Sequence, residues 1–131
     1  MKAIICLDDH NGMRFNNRRQ SRDAAVIDHI RSITQGQKLW ISPDSQKLFS
    51  EEDAVCIDEN YLEKAADNDW CFIEDSNIMR VMPKVHTLVV YRWNRHYPAD
   101  TYFLYALQAP AEKCDFPGNS HPIITREVYK L

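Results

Sequence analysis

Asp23 and the arginines that precede it are the residues of this chain best suited to chemistry. Arg14, Arg18, Arg19 and Arg22 fall within nine residues and lead into Asp23, in the stretch NGMRFNNRRQSRD (residues 11–23). A carboxylate in a partly apolar pocket has a raised pKa and can donate a proton or anchor a ligand. Guanidinium groups crowding a helix N-terminus cost about 0.3–1 kcal/mol each unless an anion or acid offsets them. Asp23 and Asp28 could do so locally, and so could a bound carboxylate or phosphate, helped by the helix's free amides. A solvated basic loop has the same composition. The polar stretch Asn16-Asn17-Arg18-Arg19-Gln20 suggests a hydrogen-bonding ligand.

Other constellations carry less. The histidines at positions 10, 29, 86, 96 and 121 show no HxH, HExxH or paired Cys/His spacing, so no metal site is expected. His10 and His96 fall in loops and read as exposed polar residues. No GxSxG and no P-loop lysine motif is present. Trp93, Tyr97, Tyr102 and Tyr105 interleave with Arg92 and Arg95, a pattern that can stack RNA bases. Strand residues packing a core explain these aromatics more simply, so nucleic acid is not the expected partner.

Composition limits the classes open to the chain. At 131 residues, 44% hydrophobic and 27% charged, it is long enough for one domain, residues 1–131, with a real core. Only five apolar residues separate Lys2 from Asp8, so no secretory signature is read, and no run approaches the ~20 apolar residues of a membrane helix. Cys6, Cys56 and Cys71 lie in apolar runs without a CxxC pair, as expected of free thiols in a cytoplasmic protein. The formal net charge of −3 is unevenly spread. Residues 44–75 carry eleven acids against Lys47 and Lys64, a balance of −9, whereas each flanking segment has seven Lys or Arg against four acids, or +3. The middle of the chain therefore repels a phosphate-bearing ligand.

The elements that would position these residues follow from periodicity. KAIICLD (2–8) reads as a buried strand. Ser21 reads as the N-cap of a helix running to about Thr34, with Gly36 just past its end. Asp23, Ile27 and Ile30 share one face of that helix. KLWIS (38–42) is a second strand, and Ser42-Pro43-Asp44 favours a helix start. AVCID (54–58) is a third strand, with Asp58 capping a helix to about Ala66. WCFI (70–73) is a fourth strand, followed by a short helix over 76–82 that Pro83 stops. HTLVVYRW (86–93) and TYFLYALQ (101–108) are longer strands, residues 109–122 a loop, and IITREVYK the last strand. This order predicts an α/β fold with a mixed, mostly parallel central sheet, flanking helices and antiparallel strands at the C-terminus. Ligands of such sheets sit beyond the strands' carboxyl ends, where the arginine loop and Asp23 fall.

In order and spacing the chain resembles the dihydrofolate reductase family. The matching pieces are Asp8 or Asp9 to Gly12-Met13, the helix opening near Asp23, Met82-Pro83, the strand through Tyr91, Asp100-Thr101-Tyr102-Phe103 and the terminal REVYKL. The resemblance implies that Asp23 is the pocket carboxylate that holds a pterin ring, and that NADPH is the cofactor. The chain departs from the family at the cofactor side. Glu74 and Asp75 stand where a glycine pair lets the backbone approach the cofactor's phosphates, and they oppose phosphate in bulk and charge. The family's G-R-x-T becomes Ser42-Pro43-Asp44-Ser45, of which Ser45 keeps the hydroxyl.

The expectation is therefore a shortened reductase-like domain with a small-molecule pocket in which NADP is disfavoured. Asp23 is the candidate catalytic or anchoring residue. Met13, Arg18, Arg19, Arg22, Ser45 and Tyr91 are the candidate ligand-binding residues, with the arginines holding an anionic group. A ligand-binding protein without reductase chemistry ranks first. A small oxidoreductase acting on a pterin-like heterocycle is the alternative, and an RNA- or nucleotide-handling protein stands behind both.

Overall fold

The computed structural model describes residues 1–131. Five strands run parallel: β1 (Lys2–Leu7), β4 (Leu39–Ile41), β5 (Val55–Ile57), β6 (Trp70–Phe72) and β7 (Thr87–Arg92). Two antiparallel strands, β9 (Glu112–Pro117) and β10 (Ile123–Lys130), complete the sheet in the order β5-β4-β6-β1-β7-β10-β9. A second sheet joins β2 (Gly12–Phe15) to β3 (Arg18–Arg19) and β8 (Thr101–Tyr102) in the order β3-β2-β8.

The alternating side chains of the central strands separate the core into two layers, as a strand period of two requires. Ala3, Ile5 and Leu7 of β1 and Leu88 and Val90 of β7 face one layer, where helices α2 (Tyr61–Lys64) and α3 (Asn77–Val81) bring Leu62, Ile78 and Val81. Ile4, Val89 and Tyr91 face the other, against Val26, Ile27 and Ile30 of helix α1 (Ala24–Ile33). Burial on both faces explains why β1, β6 and β7 read as unbroken apolar runs.

The predicted α/β architecture is found, with local differences. Asp23, not Ser21, is the N-cap of α1; its backbone is extended and its carboxylate accepts the Ala25 amide at 2.8 Å. The helix closes as expected on Thr34, with Gly36 in the left-handed region at φ 77°. Pro43–Leu48 is a tight 3-10 helix, and Asp58 folds back on the Asn60 amide, leaving α2 a single turn. The arginine loop is a hairpin. Asn16 and Asn17, at φ 49° and 59°, make its two-residue turn, with Phe15 opposite Arg18 and Arg14 opposite Arg19. Asparagine suits the left-handed turn that such a hairpin demands, so the pair serves the backbone first.

The expected strand over 101–108 shrinks to Thr101–Tyr102, captured by β2 in the small sheet. Leu104 beyond it is 79% exposed. The place beside β10 goes to Glu112–Pro117, in the segment read as a loop. That edge strand is largely exposed and polar, so its sequence lacks the apolar signal by which inner strands are read.

Ile30 is fully buried at the centre of the α1 layer. Ile30→Ala should cost about 2–5 kcal/mol, measured by urea unfolding, with the slope of the transition unchanged.

Candidate functional site

The hairpin of β2 and β3 lies over the carboxyl ends of β1 and β6. Its cross-strand pair, Arg14 and Arg19, would repel each other on one face of the hairpin. Both guanidinium groups are instead met by acids from the far side of the cleft. Arg19 grips Glu74 with two parallel hydrogen bonds, Nε to Oε2 and Nη2 to Oε1, each 2.9 Å. Arg19 Nη2 also donates to the Asp44 carbonyl at 2.8 Å. Arg14 Nη2 donates to Asn17 O at 2.7 Å and to Asp44 Oδ2 at 3.3 Å, while its Nε is buried without a partner. Ser45 Oγ donates to Glu74 Oε1 at 2.6 Å. The partners of these arginines are thus Glu74 and Asp44, 25 to 60 residues away, and not Asp23 or Asp28. Asp75 closes a turn on the Asn77 amide instead.

Asp23 sits at the opposite end of the hairpin, its side chain fully shielded from solvent. Six donors converge on it: the amides of Ala25, Asn119, Ser120 and His121, the Ser120 hydroxyl and His121 Nδ1, all within 2.8–3.2 Å. Gly118 permits this closure, because a Cβ there would strike the His121 carbonyl and lie 2.8 Å from Asp23 Oδ2. The expected raised pKa is not found. Burial alone pushes the carboxyl up, but the Asn119 amide, the His121 ring and the Ala25 and Ser120 amides outweigh it and hold it far below the usual range. Asp23 is a fixed anion.

His121 continues the chain of bonds. Its Nε2 lies 2.7 Å from the Tyr97 hydroxyl and 3.3 Å from Ser21 Oγ, and its ring stacks on Trp93 at 4.8 Å. The sequence offered no spacing motif for His121; the one legible sign was Gly118-Asn119-Ser120, small residues able to turn successive amides onto an anion.

The space around these groups is unequal. Two hollows beneath the hairpin, one touching Cys6, Ser21, Asp23 and Phe72 and the other Cys6, Met13, Arg19 and Ser21, each hold about 10 Å³, room for one water. Outside them lie two open clefts. One, about 470 Å³, runs from Arg22 and Asn119 along Ile27 to Lys47. The other, about 450 Å³, is lined by Arg14, Asn17, Arg18, Arg19, Asp44 and Lys47. They share Lys47 in their lining, their free charged side chains are mostly basic, and the two together are called the trough below.

Of the predicted site residues, Arg18, Arg19 and Arg22 line the trough, Met13 lines a hollow and Ser45 is buried behind Glu74. Tyr91 is placed elsewhere: it is fully buried in the α1 layer, its hydroxyl 3.1 Å from His29 Nδ1. Burial, with added repulsion from Glu74, pushes the Cys6 thiol far above its ordinary value, so it stays protonated. Of the aromatic–arginine run, Trp93 is buried and Arg92 is tied to Glu127 and Asn11, while Tyr102 and Tyr105 stay exposed.

No protein-family model and no curated protein matches the chain. Among solved structures, dihydrofolate reductase from Enterococcus faecalis, complexed with NADP(H) and RAB-propyl, superimposes over 98% of this chain and 94% of its own at a TM-score of 0.65 and 12% identity. The chain has a dihydrofolate reductase-like fold. Such low identity carries the fold alone. The residues present do not fit the dinucleotide that the fold implies. At the end of β6, where the resemblance calls for close backbone approach to phosphate, the Glu74 carboxylate stands instead, bound by Arg19 and Ser45.

Asp23→Asn exposes the importance of the fixed anion. Because the folded pKa is depressed below the ordinary ~3.9, its stabilising contribution is complete well above pH 4 and lost as pH falls through the folded value. The variant should be less stable by on the order of 3 kcal/mol near pH 7. That difference should shrink below about pH 4 in urea unfolding compared across pH.

Proposed function

We propose that this protein binds a small anionic molecule in the basic trough and does not carry out NADPH-dependent reduction. The observation that carries this reading is the Arg19–Glu74 fork, closed by Ser45, which fills the end of β6 where the family resemblance would put a dinucleotide's phosphates. Beside it, Arg14, Arg18, Arg19 and Lys47 face Asp44 and the already paired Glu74, which leaves the trough a surplus of two positive charges. Arg22 extends the positive lining past Lys47. Carboxylate or phosphate groups suit such a surface, with Arg18 and Arg22 as forks and Lys47 as a point charge.

A pterin-like substrate has less support. The hollows next to Asp23 each take a water rather than a bicyclic ring, and Asp23 has no lone pair left for an amino-pyrimidine edge. A cytoplasmic setting fits this reading, with four free cysteines and no helix long and apolar enough to cross a membrane.

Inorganic pyrophosphate titrated into the protein by calorimetry at low salt should bind. The Arg18→Glu and Lys47→Glu variants should each weaken it at least about tenfold, ~1.4 kcal/mol. NADPH binding that survives both substitutions and supports reduction of dihydrofolate would overturn the proposal.

A further inference from the structure

We propose that Ser21, His121 and Asp23 form a nucleophile–base–carboxylate relay that hydrolyses small anionic esters at the inner end of the trough. The proposal rests on the trough being the binding surface, and it adds a reaction to it. The relay places the three groups in the order that acyl transfer uses. Asp23 Oδ2 lies 3.0 Å from His121 Nδ1, and His121 Nε2 lies 3.3 Å from Ser21 Oγ. Such relays are recognised by geometry rather than by sequence order, which is why the absence of GxSxG does not exclude one.

Each group is fixed in its role by its neighbours. Asp23 accepts from every side and stays ionised, so the nitrogen facing it, Nδ1, carries the ring proton. Nε2 is then the lone-pair nitrogen, turned toward Ser21 and Tyr97. Trp93 stacks on the ring and holds its plane. His121 is 3% exposed, whereas Ser21 is half-buried and lines both hollows. One hollow shares Arg22, Asp23, Ile27 and Leu48 with the larger cleft. As it stands that hollow takes one water, so an ester held by Arg22 and Lys47 in the cleft brings its carbonyl to Ser21 Oγ only as the Tyr97 hydroxyl leaves Nε2 and the hollow widens. Asp23 is a positioning residue here; Ser21 and His121 would meet the reacting atoms.

The steps balance. Ser21 Oγ attacks the ester carbonyl carbon as its proton passes to His121 Nε2. The tetrahedral intermediate expels the alcohol, which takes that proton, leaving an acyl-Ser21. Water from the second hollow that Ser21 lines, which has room for one, attacks the acyl carbon, gives a proton to Nε2, and Ser21 departs with it. The sum is ester plus water giving acid plus alcohol. Arg22, which lines both spaces, supplies positive charge for the developing oxyanion. Tyr97 is the competitor. Its hydroxyl is closer to Nε2 than Ser21 is, at 2.7 Å, and also lies 3.3 Å from Ser21 Oγ. The serine gains the base only when that bond yields.

The test uses the full chain with a fluorophosphonate probe, read by peptide mass spectrometry, and p-nitrophenyl acetate hydrolysis alongside. The adduct should form on Ser21 at least about 100-fold faster than on exposed Ser50, as a general base provides, with a rate rising along a single-proton titration. Ser21→Ala should abolish the adduct and the hydrolysis, His121→Gln should reduce both at least about 100-fold, and Tyr97→Phe should speed labelling. Circular dichroism and pyrophosphate binding would show that Ser21→Ala and Tyr97→Phe remain folded, so the test does not depend on His121→Gln. Labelling of Ser21 no faster than Ser50, a pH-independent rate, an adduct on Tyr97, or loss of labelling in Tyr97→Phe would each overturn the relay. Binding of pyrophosphate without labelling removes the relay alone; labelling without anion binding removes the reading of the trough.

Discussion

The fork between Arg19 and Glu74 joins two loops that the parallel sheet leaves side by side, one after β1 and one after β6. Both partners are largely shielded, with side chains 21% and 12% exposed. A pair taken this far out of water is not a free gain, because each ion loses hydration that only good geometry restores. Here the geometry is good: two parallel bonds of 2.9 Å, a serine hydroxyl on one carboxylate oxygen and a backbone carbonyl on the guanidinium. The consequence is specificity of placement. Arg14 and Arg19 face each other across the hairpin, and without Glu74 and Asp44 their repulsion would push the two strands apart. The hairpin's position, the depth of the hollows beneath it and the open trough outside it all follow from acids supplied by the middle of the chain.

Asp23 makes the opposite end of the same hairpin rigid by a different route. It is an anion with no cationic side chain built against it, satisfied by amides from the helix start and from residues 119–121 and by one imidazole. Amide donors need no counter-charge and bring little side-chain entropy cost, so a buried carboxylate can be held deep in its ionised form. The imidazole is the member with further reach, because its second nitrogen extends toward Tyr97 and toward Ser21 beside the hollows. A structural cap and a hydrogen-bond relay thus share one side chain.

How much of this was legible in the sequence depended on whether the signal was local. β1, α1, β6, β7 and β10 could be read because their apolar periodicity reports two-sided or one-sided burial directly. The edge strand Glu112–Pro117 could not, since its exposed polar residues carry no such pattern, and TYFLYALQ misled because its aromatics pack singly rather than as a strand. The site was half legible. The arginine cluster announced an anionic partner, but the partner is 55 residues away at Glu74, and only the sheet order brings them together. Asn16-Asn17 was a hairpin signal overlooked among charges. His121 and Tyr97 meet through long-range packing, which no spacing rule encodes.

The same facts separate the core of the fold from the charged groups at its rim. The core lies in two layers on the faces of the central strands, whereas Glu74, Asp75 and Ser45 lie beyond the strand ends. Replacing small residues by acids at a strand's carboxyl end changes no core contact, so the sheet tolerates it. A carboxylate at that point meets the arginine loop that follows β1. Paired with Arg19, it leaves Arg18, Arg22 and Lys47 facing the open clefts. Positive charge therefore collects at the rim of the cleft rather than in its interior, and the buried carboxylate, satisfied by amides, also orients a histidine.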